Sequence, residues 1–374
     1  MATRNRQHLM VVPGDGIGRE VTAQAARVLE WFTKHRGLDC EISHDDRFGA
    51  EYWHKSGEFL RPGLVEDMIK ADAVLFGAVG GAGDNLHMPQ DIRRKYGLPA
   101  VRKQMGVFAN LRPIKPIPAL ASDSPLRPEI TKGVDIMVVR ELVGGIYFGQ
   151  PRGIETLPDG QRRGVNTQVY TTSEILRIAE VAFELARKRR RKVTSVDKAN
   201  VMESGQLWRE EVQAFRDKNY PDIELNHMYV DNCAMQVVRD PRQFDVLLSD
   251  NIFGDILSDC ASVITGSLGM LPSASIGVHE ASGKRTALYE PVHGSAPDIA
   301  GQNKANPLAS ILSLGLALRH SLGREADGDL LDAAVADVLA RKERTADIAA
   351  PGVAPISTSG MGDAVIAALG RLAG

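Results

Sequence analysis

Two aspartates four residues apart, Asp255 and Asp259, lie in the segment NIFGDILSD at the start of a predicted helix. This spacing puts both carboxylates on one helix face, with Cβ atoms ~5–6 Å apart. Convergent carboxylate oxygens suit a hard cation such as Mg²⁺ and leave room for substrate oxygens. Acidic residues early in a helix also complement the helix dipole, so the spacing alone does not decide between these interpretations. Asp231, which follows the strand LNHMYV, is a candidate third carboxylate.

Three arginines, Arg102, Arg112 and Arg140, could together bind a dicarboxylate. Arg112 and Arg140 lie where apolar or turn segments meet polar loops, in VFANLRP and IMVVRELVGG. A guanidinium group binds a carboxylate through two parallel hydrogen bonds, which suits this task. Each arginine taken singly is more often a surface ion-pair partner, and their convergence is not visible in the sequence.

A lysine and a tyrosine are candidates for proton transfer. Lys198 directly follows the strand VTSVD, and Tyr147 lies in GGIYFGQPRG. A lysine at a strand end can act as a general base when it is desolvated or held near other cations. Taken alone, these residues are more often a lysine that extends to solvent and a core tyrosine.

Two glycine-containing loops could approach a ligand closely. The first, Gly14 to Gly18 (GDGIG), has the spacing G-x-G-x-G and not the G-x-G-x-x-G of dinucleotide-binding folds, so we expect a tight turn that needs glycine for its backbone. The second, Glu290 to Gly301 (EPVHGSAPDIAG), has small residues around His293 that would admit a flat ligand or a phosphate. Asp298 could accept hydrogen bonds from two ribose hydroxyls. The alternative is a loop with no ligand.

Short apolar runs alternate with helical periodicity through most of the chain, which predicts an α/β protein. Thr171 and Glu174 form a capping-box pattern before an amphipathic helix, and Asp363 is a candidate cap for the last helix. The predicted strands lie at residues 8–12, 73–79, 134–139, 193–196, 225–230 and 246–249.

The composition is that of an ordinary globular protein, with 374 residues, 43% hydrophobic and 25% charged. A net charge of −2 favours neither nucleic acid nor an acidic membrane surface. No stretch approaches the ~20 apolar residues of a membrane helix. Three scattered cysteines suit a reducing compartment and form neither a disulfide framework nor a zinc site. We therefore expect a cytoplasmic protein that binds neither nucleic acid nor a membrane.

Seven motifs in order make the chain similar to the isocitrate and isopropylmalate dehydrogenase family: GDGIG, FANLRP, VRELVGGIYFGQPRG, SVDKAN, YVD, NIFGDILSD and EPVHGSAPDIAG. The resemblance implies an α/β fold of two domains with a central sheet, which is not a true Rossmann fold. Proline- and glycine-rich breaks near 107–118 and 265–272 set the expected borders. We expect an NAD-binding domain of residues 1–107 plus 266–374 and a substrate, metal and dimerisation domain of residues 108–265.

The resemblance also implies a role for each candidate residue in a homodimer with shared active sites. Arg102, Arg112 and Arg140 would bind the malate carboxylates, and Asp255 and Asp259 would hold Mg²⁺ or Mn²⁺ together with Asp231 of the partner, which also contacts the substrate. Lys198 of the partner would take the proton from the substrate hydroxyl, and Tyr147 would protonate the enol left after decarboxylation. Leu98 and the partner's Val201 would contact the alkyl group. The residues expected to hold NAD are Asn200, Glu290, His293, Gly294, Ser295, Ala296, Asp298 and Asn306.

Within the family, GGIYFGQPRG is similar to the isopropylmalate branch. That similarity implies oxidative decarboxylation of 3-isopropylmalate to 4-methyl-2-oxopentanoate in leucine biosynthesis. Lys95 and Pro99 depart from the branch pattern, as does the segment GGAGDN at 80–85. A cation at Lys95 would suit the third carboxylate of isocitrate or homoisocitrate, so these and other 3-substituted malates stay open as substrates. The alternative function is that of a non-catalytic regulatory subunit. Such a subunit would be expected to lack one of the residues named for metal binding or proton transfer, and this chain has all of them.

Overall fold

The computed structural model describes residues 6–80, 89–121, 126–279, 284–349 and 352–374. Contacts between Cα atoms divide the chain into two compact units. The first contains Met1–Val107, Pro116–Pro128 and Thr265–Gly374, and the second contains Phe108–Lys115 and Glu129–Ile264. Residues 116–128 therefore group with the first unit, whereas the sequence-based borders assign them to the second. The departure from the family pattern at 81–85 lies outside the described residues.

The predicted α/β class is confirmed, and each predicted strand is found with small shifts in its ends. The strands are β1 (Gln7–Gly14), β2 (Cys40–His44), β3 (Ala73–Ala78), β4 (Ala109–Ile114), β5 (Ile136–Glu141), β6 (Gly153–Thr156), β7 (Arg162–Val165), β8 (Lys192–Asp197), β9 (Glu224–Tyr229), β10 (Val246–Ser249), β11 (Pro272–His279) and β12 (Arg285–Pro291).

Among the described residues, helices lie between most of these strands, and three follow one another after β12. They are α1 (Ile17–His35), α2 (Ala50–Ser56), α3 (Leu64–Lys70), α4 (Gln90–Tyr96), α5 (Leu98–Gln104), α6 (Pro128–Thr131), α7 (Thr172–Arg187), α8 (Glu203–Asn219), α9 (Val230–Arg239), α10 (Asn251–Ser262), α11 (Leu308–His320), α12 (Glu325–Ala340) and α13 (Thr358–Leu372).

In the first unit, five strands lie in the order β2-β1-β3-β12-β11. The pairs β1/β2, β1/β3 and β3/β12 are parallel, and β11/β12 is antiparallel. The central run AVLFGA of β3 is buried throughout, as expected for a parallel strand that is covered on both faces. Helix α11 packs against β11 and β12 and against α1 and α12, which explains why ten of its thirteen residues are buried.

In the second unit, the order is β4-β5-β10-β8-β9. The pair β4/β5 is antiparallel, and β5/β10, β10/β8 and β8/β9 are parallel. Strands β6 and β7 form a separate antiparallel hairpin. Helix α7 packs against α8 and against β10, and it begins with the predicted capping box at Thr171 and Glu174. Because parallel strands end at the same edge of a sheet, the polar residues that follow β8, β9 and β10 all lie at that edge.

The GDGIG segment is a turn that requires glycine, as predicted from its spacing. Gly14 and Gly16 have φ of 69° and 54°, and a Cβ on Gly14 would lie 2.0 Å from the carbonyl oxygen of Ala78. The buried carboxylate of Asp15 accepts hydrogen bonds from the backbone N–H groups of Ala50, Glu51 and Gly80. The turn is therefore tied to the neighbouring backbone by its own aspartate.

Among the described helices, none combines the length and the apolar character that crossing a membrane requires.

Candidate active site

The two aspartates predicted as metal ligands lie on α10 of the second unit. Strand β10 ends at Ser249, and the Asp250 side chain caps the helix by accepting a hydrogen bond from the Phe253 N–H at 2.8 Å. Asp255 and Asp259 follow one helical turn apart, with side chains 34% and 57% exposed. Two accessible carboxylates on one face give the oxygen donors that a divalent cation prefers.

Two of the three predicted arginines converge on these carboxylates. Arg112 on β4 and Arg140 on β5 come from adjacent antiparallel strands and are both buried. The Nη1 and Nη2 atoms of Arg112 lie 3.3 Å from Asp259 Oδ1 and 3.4 Å from Asp255 Oδ1. Arg140 Nη1 donates to the same oxygen of Asp255. The structure therefore brings two cations and two carboxylates together in one group.

Tyr147 completes this group. It ends the short 3₁₀ helix Gly145–Tyr147, and its hydroxyl donates to Asp255 Oδ2 at 2.9 Å. Burial raises the pKa of Tyr147, and the charge of Asp255 raises it further. Burial also raises the pKa of Asp259; the charge of Arg112 opposes this effect, and that of Asp255 adds to it. At neutral pH the tyrosine therefore keeps its proton and can donate it.

Lys198 and Asp231 form a separate pair. Lys198 follows β8 and Asp231 lies in the first turn of α9, directly after β9, and Lys198 Nζ is 3.0 Å from Asp231 Oδ1. This hydrogen bond lowers the pKa of Asp231. Asn200 and Val201 follow Lys198 in an exposed turn. Within the described parts of the chain, no three histidine, cysteine, aspartate or glutamate side chains are close enough to hold a metal, so Asp231 does not join Asp255 and Asp259 in one chain.

The remaining predicted substrate residues belong to the first unit. Arg102 on α5 donates from Nε to Glu290 Oε1 at 3.1 Å, and both side chains are largely buried. Glu290, which the resemblance assigns to the cofactor, therefore has an arginine partner within its own unit. Leu98 begins the same helix and is half-buried, while Lys95 on α4 is exposed, with Nζ 4.9 Å from the centre of the Tyr96 ring.

Six of the eight predicted cofactor residues lie in the segment between β12 and α11, whereas Glu290 is part of β12 and Asn200 follows β8 in the second unit. His293 has a buried Nε2 with no hydrogen-bond partner among the described residues, and burial lowers its pKa. A Cβ added to Gly294 would meet nothing within 4 Å, and Asp298 is exposed. Ser295 is buried and accepts from the Ile17 N–H through its carbonyl oxygen. An unpartnered imidazole nitrogen beside an open backbone surface is consistent with a nucleotide ligand.

Two members of this loop have structural features of their own. Ala296 has a positive φ of 39°, and Asn306 is buried, with its amide nitrogen 3.0 Å from the carboxylate of Asp347.

Sequence reasoning missed several residues that hold the active-site side chains. Asn251 and Ser258 on α10 contact Arg140 and Arg112, and Asn110 on β4 contacts Arg112. Their spacing in the sequence could have identified them, because each lies on the same face of its helix or strand as a predicted site residue. Asn251 precedes Asp255 by four helical positions, and Asn110 precedes Arg112 by two strand positions.

The chain belongs to the isocitrate/isopropylmalate dehydrogenase family, whose model matches residues 8–365. It is 55% identical to a 3-isopropylmalate dehydrogenase of Gluconobacter oxydans, with 98% of each chain covered. It is 56% identical to one of Paramagnetospirillum magneticum, covering 97% of this chain and 98% of the other. Among solved structures, it is similar to an isocitrate dehydrogenase from Methylococcus capsulatus, with a TM-score of 0.83 and 30% identity over 97% of this chain and 99% of the other.

A structure of a beta-decarboxylating dehydrogenase from Thermococcus kodakarensis matches with a TM-score of 0.76 and 33% identity, over 98% of this chain and 96% of the other. The predictions of family, of fold and of a dehydrogenase are confirmed by these matches.

Proposed function

We propose that the chain oxidatively decarboxylates 3-isopropylmalate to 4-methyl-2-oxopentanoate with NAD and Mg²⁺ or Mn²⁺, a step of leucine biosynthesis. The observation that carries the proposal is the convergence of Arg112, Arg140 and Tyr147 on Asp255, with Asp259 one turn away. These groups match the substrate, because it offers two carboxylates to cations and a hydroxyl to a metal site. The relatives that carry the name 3-isopropylmalate dehydrogenase are more than half identical over nearly the whole chain.

The chain's own residues would bind the substrate and move its protons. Arg112 and Arg140 would hold carboxylates, and Arg102 of the first unit is assigned to the same substrate by the resemblance. A divalent cation held by Asp255 and Asp259 would supply Lewis-acid polarisation of the substrate hydroxyl and its neighbouring carboxylate. Lys198 would accept the hydroxyl proton, and Tyr147, which is protonated at neutral pH, would return a proton to carbon after CO₂ leaves.

The cofactor loop supports NAD as the hydride acceptor. The unpartnered Nε2 of His293 and the open surface at Gly294 are available to a dinucleotide. The exposed carboxylate of Asp298 would accept ribose hydroxyls and would repel a 2′-phosphate. We assign Asn200, Glu290, Ser295, Ala296 and Asn306 to the same cofactor.

A homodimer with shared active sites is part of the proposal. Lys198 and Asp231 form a pair apart from Asp255 and Asp259 among the described residues, and a second copy of the chain would complete the group of three carboxylates. Helices α9 and α10 pack on each other and expose apolar side chains that a second copy could cover. These are Met235 and Val238 on α9 and Ile256 on α10, with exposed fractions of 61%, 46% and 52%, and Val263 directly after α10 is 43% exposed.

Lys95 favours a second candidate substrate. It is an exposed cation on α4, three residues before Leu98, which the resemblance assigns to the alkyl group. A third carboxylate, as in isocitrate or homoisocitrate, would pair with it. Apolar contacts alone discriminate between substituents by only ~1–3 kcal/mol, so a charge nearby could reverse the preference.

Production of NADH at 340 nm tests the proposal. The assay would contain Mg²⁺, NAD and, separately, 3-isopropylmalate, isocitrate, homoisocitrate, D-malate or tartrate. We expect kcat/KM to be at least tenfold higher for 3-isopropylmalate, which corresponds to ~1.4 kcal/mol. A tricarboxylate as the best substrate would make Lys95 the specificity residue, and no turnover with any of them would refute the proposed reaction.

A further inference from the structure

Each buried arginine of the candidate site is held on one edge by an asparagine. Arg140 donates from Nε and Nη2 to Oδ1 of Asn251, at 3.1 and 2.7 Å. Arg112 donates from Nε to Oδ1 of Asn110 at 2.7 Å. Both asparagines are fully buried. Two residues from different elements therefore supply the same chemical group, a neutral amide oxygen, to the two cations.

The orientation of the Asn251 amide is fixed by its other side. Its Nδ2 donates to the carbonyl oxygens of Leu142 and Gly144, at 3.0 and 3.2 Å. An amide nitrogen can only donate and an amide oxygen can only accept, so Oδ1 must face the guanidinium group. The contacts to Leu142 and Gly144 also anchor the turn that leads to Tyr147.

The remaining hydrogen-bond donor of Asn251 is also used. Its backbone N–H donates to the Tyr170 hydroxyl at 2.9 Å, and that hydroxyl donates to the buried carboxylate of Glu141. Asn251 therefore joins β5, α10 and the turn before Tyr147 in one buried network. Such networks fix side-chain geometry when every member has its partners.

We propose that Asn110 and Asn251 are positioning residues, which orient Arg112 and Arg140 toward the substrate carboxylates without neutralising their charge. This inference rests on the proposed function, because it takes a malate-type dianion as the ligand. An amide oxygen accepts the hydrogen bonds of a guanidinium group but carries no net charge. A carboxylate in the same place would accept them too, but in a buried site it would strongly reduce the attraction between the arginine and a bound anion.

The substitutions Asn251→Asp and Asn110→Asp test this idea. Each keeps the size of the side chain and an acceptor oxygen and adds one negative charge. Asn251→Asp also loses the Nδ2 donor to the carbonyl oxygens of Leu142 and Gly144, so it combines the added charge with the loss of two hydrogen bonds. We expect KM for 3-isopropylmalate, and the dissociation constant of D-malate measured calorimetrically with Mg²⁺, to rise at least tenfold. KM for NAD should change less than twofold. Asn219→Asp, which adds the same charge at an exposed helix end, should leave all three constants unchanged.

The outcomes separate positioning from a purely structural role. The proposal would be overturned if the variants are folded, as judged by circular dichroism, and bind D-malate as tightly as the wild type does. A loss of active enzyme with every KM unchanged, which is the result of misfolding alone, would also overturn it. If Asn251→Asp does not fold, Asn110→Asp decides alone. Wild-type turnover of 3-isopropylmalate tests the proposed function, whereas the D-malate ratio tests positioning and does not require turnover.

Discussion

The phenol oxygen of Tyr147 lies 2.9 Å from Oδ2 of Asp255 and donates its hydrogen to it. The other carboxylate oxygen of Asp255 accepts from Arg140 and Arg112. The carboxylate of Asp255 therefore contacts the candidate proton donor and the anion-binding arginines, and it is also a candidate metal ligand. Burial and the charge of Asp255 both raise the pKa of Tyr147, and this keeps the phenol protonated at neutral pH.

Replacing Tyr147 with phenylalanine should lower kcat by ~10²–10⁴, which is typical of the loss of a general acid. KM for 3-isopropylmalate should change little, because the arginines that bind carboxylates remain. Initial rates of NADH formation give both constants. Tyr220→Phe is the matched control, because the Tyr220 hydroxyl also donates to a carboxylate, Glu184, at 2.9 Å. Equal loss of kcat in both variants would remove Tyr147 from the proton-transfer role.

Asp250 gives the protein a stability that depends on pH. Burial raises its pKa from 3.8 to about 6, and hydrogen bonds from the Phe253 N–H and the Gln168 side chain offset this only in part. The folded state therefore binds more protons than the unfolded state between these two values. As the pH rises through this window, the free energy of unfolding falls, and it stays lower above it.

Asp250→Asn should therefore make the protein more stable at pH 8, by up to ~3 kcal/mol. The new amide keeps an acceptor for the Phe253 N–H, and the Gln168 amide can turn to present Oε1, which has no hydrogen-bond partner among the described residues. The gain should vanish at low pH, where the wild-type carboxyl is protonated. Denaturant unfolding of both proteins, at a pH below and a pH above this window, measures the difference in the free energy of unfolding. Asp217→Asn, at an exposed aspartate whose pKa is lowered, should show no gain, and a less stable Asp250→Asn at pH 8 would contradict the prediction.

Asp298 should set the preference for NAD over NADP. It is an exposed acid in the candidate cofactor loop, where its charge would repel a 2′-phosphate. Asp298→Ala should reduce the ratio of kcat/KM for NAD to that for NADP at least tenfold. Asp39→Ala, at an exposed acid of the same unit, serves as the control. An unchanged ratio in Asp298→Ala would exclude this residue from cofactor selection.

Local rules predicted some of these elements well and misassigned one. The capping box at Thr171 and Glu174 depends on residues three apart, and it begins α7 as expected. The last helix is capped by Ser357, which accepts from the Gly360 N–H, and not by Asp363, so that prediction was wrong. Asp363 lies inside the helix and pairs with Arg27, 336 residues away in the chain. An aspartate can cap a helix or form an ion pair on its surface. Only the residue at which the helix begins distinguishes these two roles.

The candidate site shows the same division. The spacing of Asp255 and Asp259 predicted their shared helix face, because helical geometry is local. The convergence of Arg112 and Arg140 was not predictable from spacing, because it depends on the antiparallel register of β4 and β5. The ion pair of Arg102 with Glu290 joins residues that are 188 positions apart, and no local sequence pattern predicts it. Long-range strand pairing therefore supplies the part of the site that the sequence does not reveal.

Mixing two inactive variants should restore activity if the active sites are shared between protomers. Lys198 pairs with Asp231, apart from the group of Tyr147, Asp255 and Asp259, so each site would take these two sets from different chains. Lys198→Met and Tyr147→Phe should each be nearly inactive alone. In a mixed dimer one site carries both defects and the other carries neither.

Denaturing and refolding equal amounts of the two variants together should therefore recover about a quarter of the wild-type rate, because half of the dimers are mixed and each has one intact site. Refolding each variant separately and then combining them without exchange is the control, and it should give only the sum of the residual rates. No recovery after co-refolding, with dimers confirmed by light scattering, would mean that Lys198 serves the same chain as Tyr147. The proposal of shared sites would then fail even if both residues are essential.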